Sequence, residues 1–120
     1  KHQFVTSFGR NVNPEWVESE LTQRRHIAQA FVYGEAMPHN HALLWPHRAD
    51  CSDADLAAAV AEANEALPGY AHVHRWTRLP RPFTAANGLL TANGRPRREA
   101  IVAHYHTQLT ESVICEASAS

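Results

Sequence analysis

Residues 84–98 read TAANGLLTANGRPRR, and this stretch separates the predicted sheet from the last predicted helix. It has no apolar periodicity and contains two Asn-Gly pairs, which tolerate positive φ and therefore predict two tight turns. After the second pair, apolar residues recur every four positions, which predicts a helix whose inner face is Ile101, Tyr105 and Leu109. Pro96 suits the first position of that helix, because proline has no N–H to lose there.

Three arginines, Arg95, Arg97 and Arg98, stand at this predicted helix start, with Glu99 as the only acid nearby. A helix N-terminus carries partial positive charge and ordinarily attracts acidic side chains, so local electrostatics does not explain the arginines. An anionic partner would explain them, because helix N-termini bind phosphate and carboxylate groups. A solvated turn whose arginines serve only solubility explains them equally well, and this stretch alone leaves both interpretations open.

Composition limits the class of protein. The 120 residues suffice for one compact domain, and 44% hydrophobic with 19% charged residues is typical of a soluble globular fold. The net charge of -1 gives no overall electrostatic case for nucleic acid or an anionic membrane. No apolar run is long enough to cross a bilayer and no signal peptide is visible. The two cysteines, Cys51 and Cys115, lie far apart and favour a reducing cytoplasm over a disulfide framework.

The predicted elements follow the order β-turn-α-β-β-α-β-α, which indicates an α+β fold with a small sheet, a hairpin and about three helices packed on it. Asn13 and Pro14 begin the first helix, which we expect to end near Arg25, and Ser52 with Asp55 begins the second. Residues 27–33 and 41–45 predict an antiparallel hairpin, and residues 71–77 a third strand. We expect one domain over residues 1–109 and a frayed tail over residues 110–120.

Nine histidines raise the question of a metal site. Three pairs are spaced two residues apart: His39 and His41, His72 and His74, His104 and His106. A strand could place His72 and His74 on one face, but zinc sites need further ligands at characteristic spacings, and neither cysteine stands near a pair in sequence. We therefore predict no metal site and interpret these histidines as solvated or half-buried. The chain also has no P-loop, no GxGxxG and no nucleophile elbow.

Two stretches resemble one known family. Residues 4–18, FVTSFGRNVNPEWVE, and residues 64–98, NEALPGYAHVHRWTRLPRPFTAANGLLTANGRPRR, are similar to the small C-terminal domain of AMP-forming acyl-CoA synthetases, the adenylate-forming ligases. The FT..NGLLT run resembles the long-chain fatty acyl-CoA branch. The resemblance covers nearly the whole chain in the correct order, and it implies the same α+β lid domain.

The resemblance implies an enzyme that joins a fatty acid to ATP, releases pyrophosphate, and then passes the acyl group from AMP to CoA. A large N-terminal adenylation domain would be the partner and would hold most of the ATP, Mg²⁺ and fatty acid. The small domain would close over it in two orientations, turning on a hinge at or next to Lys1. It implies no nucleic-acid partner and a cytoplasmic location, with peripheral membrane association left open.

Two loops carry the implied functional residues. Ser7, Phe8, Gly9 and Arg10 match the loop that lines the pantetheine tunnel during thioester formation, where a glycine allows close backbone approach. Arg95 stands where the family has its adenylation lysine, and Arg97 and Arg98 would be secondary anion contacts. Guanidinium keeps the charge but not the geometry, so either Arg95 substitutes for the lysine or the first half-reaction is altered.

A second interpretation stays open beside the ligase domain. The chain would then be a free-standing α+β module whose residues 95–98 hold a phosphate-bearing ligand or partner. Under the ligase interpretation, this fragment alone is not catalytic. The sequence leaves open the acyl chain length, the oligomeric state, and whether the acceptor is CoA or a carrier protein's pantetheine.

Overall fold

The computed structural model describes residues 3–7, 9–35, 37 and 39–106. Within this part the elements are, in chain order, β1 (Phe4–Val5), β2 (Asn11–Val12), α1 (Pro14–Thr22), β3 (Ile27–Tyr33), β4 (Asn40–Pro46), α2 (Asp53–Glu65), a 3₁₀ turn (Gly69–Ala71), β5 (Val73–Arg78) and α3 (Arg98–His104). The order confirms the predicted α+β fold. The chain forms two compact units, Lys1–Pro80 and Arg81–Ser120.

The first unit is built on a three-stranded sheet of order β3-β4-β5, next to the small β1-β2 hairpin. β3 and β4 pair antiparallel, as the sequence predicts, with Phe31 opposite Leu43. β4 and β5 pair parallel, with Leu43 opposite Thr77. Parallel neighbours need a long crossover, and here α2 supplies it.

β4 is the central strand and lies in the hydrophobic core. Its residues Ala42, Leu43 and Leu44 are all 0% exposed, which is the pattern of a strand covered on both faces. Residues Ala42 and Leu44 share one face, because strand side chains alternate. That face packs with the inner sides of the two helices, through Val17, Leu21, Leu56, Ala59, Val60 and Ala63.

Side chains fix both helix starts of the first unit as the sequence predicts. The Asn13 side chain accepts a hydrogen bond from the Glu15 N–H at 3.0 Å, and Ser52 with Asp55 forms a complete capping box. α1 ends at Thr22, earlier than expected, because residues 23–26 form the turn into β3. In that turn the Arg24 N–H bonds the Leu21 carbonyl.

A buried carboxylate joins α1 to the edge of the sheet. Glu18 is 8% exposed, and its Oε2 accepts a hydrogen bond from the Val32 N–H at 2.8 Å. β3 is an edge strand with a neighbour on one side only, so the Val32 N–H needs a partner from outside the sheet. The carboxylate supplies it and thereby fixes α1 against β3.

The second unit contains the two predicted Asn-Gly turns, with Gly88 and Gly94 at φ of 81° and 85°. The expected helix start at Pro96 is wrong: α3 begins at Arg98. Pro96 instead forms an isolated antiparallel bridge with Leu90, and the Arg97 N–H bonds the Leu89 carbonyl, which keeps this segment extended.

The predicted inner face of α3 is confirmed for Ile101 and Tyr105, which are buried. Leu109 and the tail over residues 110–120 lie outside the described residues, so the expected domain end stays a prediction, and so does the hinge at Lys1. Across the described ranges, no helix combines the length and apolar character needed to cross a membrane.

The central strand also buries a histidine. His41 in β4 is 2% exposed, and its Nε2 lies 2.7 Å from the Thr77 hydroxyl of β5. Burial first, and the Arg75 guanidinium second, lower the pKa of His41 from 6.5 to about 4. The ring is therefore neutral at neutral pH. The interpretation of His41 as solvated or half-buried is wrong, because a central strand is covered on both faces.

We predict that His41 makes the fold sensitive to acid. Below its ordinary pKa of 6.5 the histidine takes up a proton in the unfolded chain but not in the native one, until the pH nears about 4. The free energy of unfolding should therefore decrease as the pH is lowered from 6.5 towards 4, by about 3 kcal/mol from His41 alone. Urea unfolding at a series of pH values measures it.

Two variants isolate the contribution of His41 from that of the carboxylates, which also titrate near the lower end of the window. His41→Gln should flatten the pH dependence, whereas His47→Gln, at an exposed position, should leave it unchanged. An equal slope in the parent and in His41→Gln would contradict the assignment.

Candidate functional site

The loop of residues 7–10 joins β1 to β2, and backbone hydrogen bonds hold its residues 7, 9 and 10 in place. The Thr6 N–H bonds the Arg10 carbonyl at 2.9 Å, and the Gly9 N–H bonds the Thr6 carbonyl at 2.9 Å. The Ser7 N–H donates to the Met37 carbonyl at 3.1 Å, which ties the loop to the segment before β4. Phe8 lies outside the described residues. Ser7, Gly9 and Arg10, three of the four predicted tunnel residues, therefore lie close together.

Gly9 is required by the conformation of this turn rather than by crowding. Its φ is +80°, a region that residues with a Cβ rarely adopt. Apart from its two chain neighbours, a Cβ built at this position would meet no atom within 4 Å. The space into which a side chain at residue 9 would point is therefore open.

An open pocket of about 260 Å³ lies next to the loop. Segments distant in sequence line it: Thr6, Arg10, His39, Asn40, Gly69, Tyr70, His72 and His74. The Arg10 guanidinium carbon stands 4.4 Å from the centre of the Tyr70 ring, in cation–π geometry. The exposed Arg10 is therefore held at the pocket by an aromatic surface.

Three imidazoles form one wall of the pocket. The rings of His39 and His74 are 4.7 Å apart, and those of His72 and His74 are 6.4 Å apart. Desolvation first, and then the neighbouring His39, lower the pKa of His74. The His72 Nε2 lies 2.9 Å from the Leu67 carbonyl oxygen, so this nitrogen carries the proton and donates it. His72 and His74 both line the pocket, although His72 lies just before β5 and not in it.

Asn40 connects the sheet to the pocket floor. Its side-chain amide donates to the carbonyls of Tyr70 at 3.3 Å and His72 at 3.1 Å. The parallel pairing of β4 with β5 brings Asn40 opposite Val73, which makes both bonds possible. The described lining residues of this pocket offer a cation, an aromatic ring and imidazoles, which suit the binding of a polar or anionic group.

The second candidate region is the loop that presents Arg95. Its first turn is fixed by Asn87, whose Oδ1 accepts hydrogen bonds from the N–H groups of Thr84 at 3.0 Å and Leu89 at 3.2 Å. Its second turn is fixed by Thr91, whose N–H bonds the Arg95 carbonyl at 2.8 Å and whose hydroxyl accepts from the Arg95 N–H at 3.1 Å. The Arg95 backbone is therefore held at both its N–H and its carbonyl.

The Arg95 side chain is exposed, as is that of Arg97. Arg98 is half-buried and begins α3. Within the described ranges, no hydrogen bond or ion pair engages the Arg95 side chain. Because α3 starts only at Arg98, the charge at a helix N-terminus is not what distinguishes Arg95. A fixed backbone carrying an accessible guanidinium distinguishes it instead.

Sequence reasoning missed Asn40 and Tyr70 as parts of a site. Asn40 stands at a strand start and Tyr70 in a 3₁₀ turn, and neither belongs to a local motif. Only the register between β4 and β5 brings them together. No signal along the chain could have paired them without knowledge of the parallel neighbour.

Comparison with known proteins gives a consistent result. Residues 1–113 match the family described as AMP-binding enzyme C-terminal domain. A long-chain-fatty-acid–CoA ligase of Mycobacterium tuberculosis is 30% identical over 132 residues, covering 91% of this chain and 22% of the relative. A chloroplastic long-chain-fatty-acid–[acyl-carrier-protein] ligase of Arabidopsis thaliana is 25% identical, covering 92% and 16%. The chain thus spans about a fifth of these relatives.

Solved structures agree on the fold. The A-PCP didomain of carboxylic acid reductase from Segniliparus rugosus, in complex with AMP, has a TM-score of 0.84 at 22% identity, covering 100% of this chain and 18% of that one. The adenylation domain of a carboxylate reductase from Mycobacterium chelonae has a TM-score of 0.82 at 22% identity, covering 94% and 19%. At this level of identity the similarity concerns the fold alone.

Proposed function

Because this chain belongs to the family of AMP-binding enzyme C-terminal domains, we propose that it is the mobile lid of an ATP-dependent long-chain fatty acid–CoA ligase. The observation that carries the proposal is the family match over residues 1–113, together with curated relatives that are long-chain fatty acid ligases. The partner is an adenylation domain on the same polypeptide, which holds most of the ATP, Mg²⁺ and fatty acid. The lid alone does not catalyse.

In the first half-reaction a fatty-acid carboxylate oxygen attacks the α-phosphorus of ATP, and pyrophosphate leaves. Negative charge gathers on the carboxylate and the phosphate, so a fixed cation there stabilises the transition state. Arg95 has the backbone fixation and the accessible guanidinium that this role needs. Guanidinium can also bridge carboxylate and phosphate oxygens, which supports it as a substitute for the family's lysine. Arg97 and Arg98 are further anion contacts in this proposal.

In the second half-reaction a pantetheine thiol attacks the acyl carbonyl, and AMP leaves. The small domain rotates on the hinge at Lys1 between the two half-reactions. In the second orientation its turn lines the path of the pantetheine arm, through Ser7, Phe8, Gly9 and Arg10. Support comes from the open space around Gly9, which lets an extended arm pass close to the backbone. The neighbouring pocket, with Arg10 over Tyr70, suits the anionic end of the acceptor.

We predict that bulk at Gly9 slows only the second half-reaction. In the complete ligase, Gly9→Leu should reduce thioester formation strongly and leave ATP–pyrophosphate exchange nearly intact. Gly9→Ala is the matched control, because it carries the same positive-φ strain, about 1 kcal/mol, with little bulk. Its thioester rate should stay much closer to the parent rate.

Half-reaction assays and thermal melts on the same preparations distinguish an effect of side-chain bulk at residue 9 from an effect of backbone strain. If Gly9→Ala and Gly9→Leu lose thioester formation equally, strain in the turn is responsible and the tunnel role is wrong. An equal loss of exchange and thioester formation in Gly9→Leu would likewise count against it.

We predict that Arg95 serves only the first half-reaction. In the complete ligase, Arg95→Ala should depress ATP–pyrophosphate exchange by roughly a few hundredfold, corresponding to about 3 kcal/mol of transition-state stabilisation. Thioester formation from supplied acyl-adenylate should barely change. Arg95→Lys should retain or raise exchange, since it restores the residue type of the family at this position.

Arg97→Ala provides the matched control on the same loop, and it should have a smaller effect on exchange. The adenylation role of Arg95 is refuted if Arg95→Ala exchanges at the parent rate. In that case the role passes to Arg97 or Arg98, and the Arg97→Ala result decides between them.

A further inference from the structure

Three potential metal ligands meet at one end of the sheet in the first unit. His26 lies in the turn between α1 and β3, Cys51 in the loop between β4 and α2, and Asp55 in the first turn of α2. Each offers one ligand atom, and these atoms all lie within 4.8 Å of one another. Neither the lid function nor the pocket beside Gly9 uses any of the three.

Hydrogen bonds fix the backbone that carries this group. The His26 carbonyl accepts from the His47 N–H at 3.1 Å, which joins the turn to the end of β4. The Cys51 carbonyl accepts from Arg78 Nη1 at 2.6 Å, and the Asp55 N–H donates to the Ser52 hydroxyl at 3.1 Å. The backbone positions from which the three side chains extend are therefore fixed by the fold.

Asp55 and Cys51 each have another structural role, but those roles do not explain why both side chains lie close to the His26 imidazole. Asp55 completes the capping box through Oδ2, yet a carboxylate has about four lone-pair sites and can bind a cation as well. Cys51 fills a buried position at 7% exposure. Helix capping and core packing give no reason for an imidazole to share this place.

We propose that His26, Cys51 and Asp55 bind a divalent cation of the zinc class, with water as the fourth ligand. Thiolate, imidazole and carboxylate are the ligands of tetrahedral zinc, and thiolate excludes magnesium and calcium. Ligand atoms around such an ion stand roughly 3.3–3.6 Å apart, so small side-chain rotations suffice. Binding displaces the thiol proton to solvent, and the two anionic ligands neutralise the charge of the ion.

The site departs from the expectation of no metal, which considered only ligands close in sequence. A bound ion would link the turn before β3 to the start of α2 and so stabilise their relative positions. An ion that binds only the folded chain stabilises that fold. The inference does not depend on the proposed ligase function, and its test needs no catalytic assay.

Cobalt is the probe, because a thiolate bound to Co²⁺ gives a charge-transfer band and tetrahedral Co²⁺ gives visible ligand-field bands. The protein is this 120-residue chain with Cys115→Ser, so that Cys51 is the single thiol. We expect one equivalent of Co²⁺ to produce both bands, Zn²⁺ to abolish them, and Zn²⁺ but not Mg²⁺ to raise the melting temperature by several degrees.

Variants test the three ligands one at a time. Cys51→Ser should abolish the charge-transfer band, and His26→Gln or Asp55→Asn should weaken zinc binding by more than about 100-fold, since even outer-shell partners are worth 10–100-fold. His47→Gln, at an exposed position next to the site, should bind as the parent does. Circular dichroism confirms that each variant folds.

Two results would overturn the proposal. One is the absence of a charge-transfer band in the parent chain at saturating cobalt. The other is zinc binding that survives Cys51→Ser but is lost in His74→Gln, which would assign the ion to the imidazole pocket instead.

Discussion

The burial of β4 on both faces is the constraint on which the first unit depends. Its apolar residues Ala42, Leu43 and Leu44 leave no solvent-facing side; α1 and α2 pack on the face that carries Ala42 and Leu44, and β3 and β5 flank the strand. The same strand begins at Asn40, whose amide holds the carbonyls of residues 70 and 72. One strand therefore organises the core and also positions the pocket beside Gly9. A change that shifted its register would disturb both together.

The two proposed functional loops share a physical design although they belong to different units. Each is a turn that needs a glycine at positive φ, and in each a threonine hydroxyl accepts a backbone N–H across the turn: Thr6 from Arg10, and Thr91 from Arg95. Such turns fix the backbone, and Gly9 and Arg95 are exposed on them. That combination suits residues which must present either bare backbone or a charge to a reacting group on another domain.

Local chemistry made much of the fold predictable, as the Asn13 cap, the Ser52–Asp55 capping box and the β3–β4 hairpin illustrate. The start of α3 was misplaced because a bridge between Leu90 and Pro96 overrode a local proline preference. The roles predicted for Arg95 and Gly9 come from a resemblance, whereas the partners of Asn40 depend on a parallel register that no local pattern encodes. Non-local pairing is what single-sequence reasoning lacks.

We propose that this chain completes an adenylation domain and has no activity of its own. The most direct measurement is acyl-CoA formation from a long-chain fatty acid, ATP, Mg²⁺ and CoA by the adenylation domain with and without this chain attached. The joined protein should form acyl-CoA, and each piece alone should not. Equal rates of acyl-CoA formation with and without the chain would contradict this proposal.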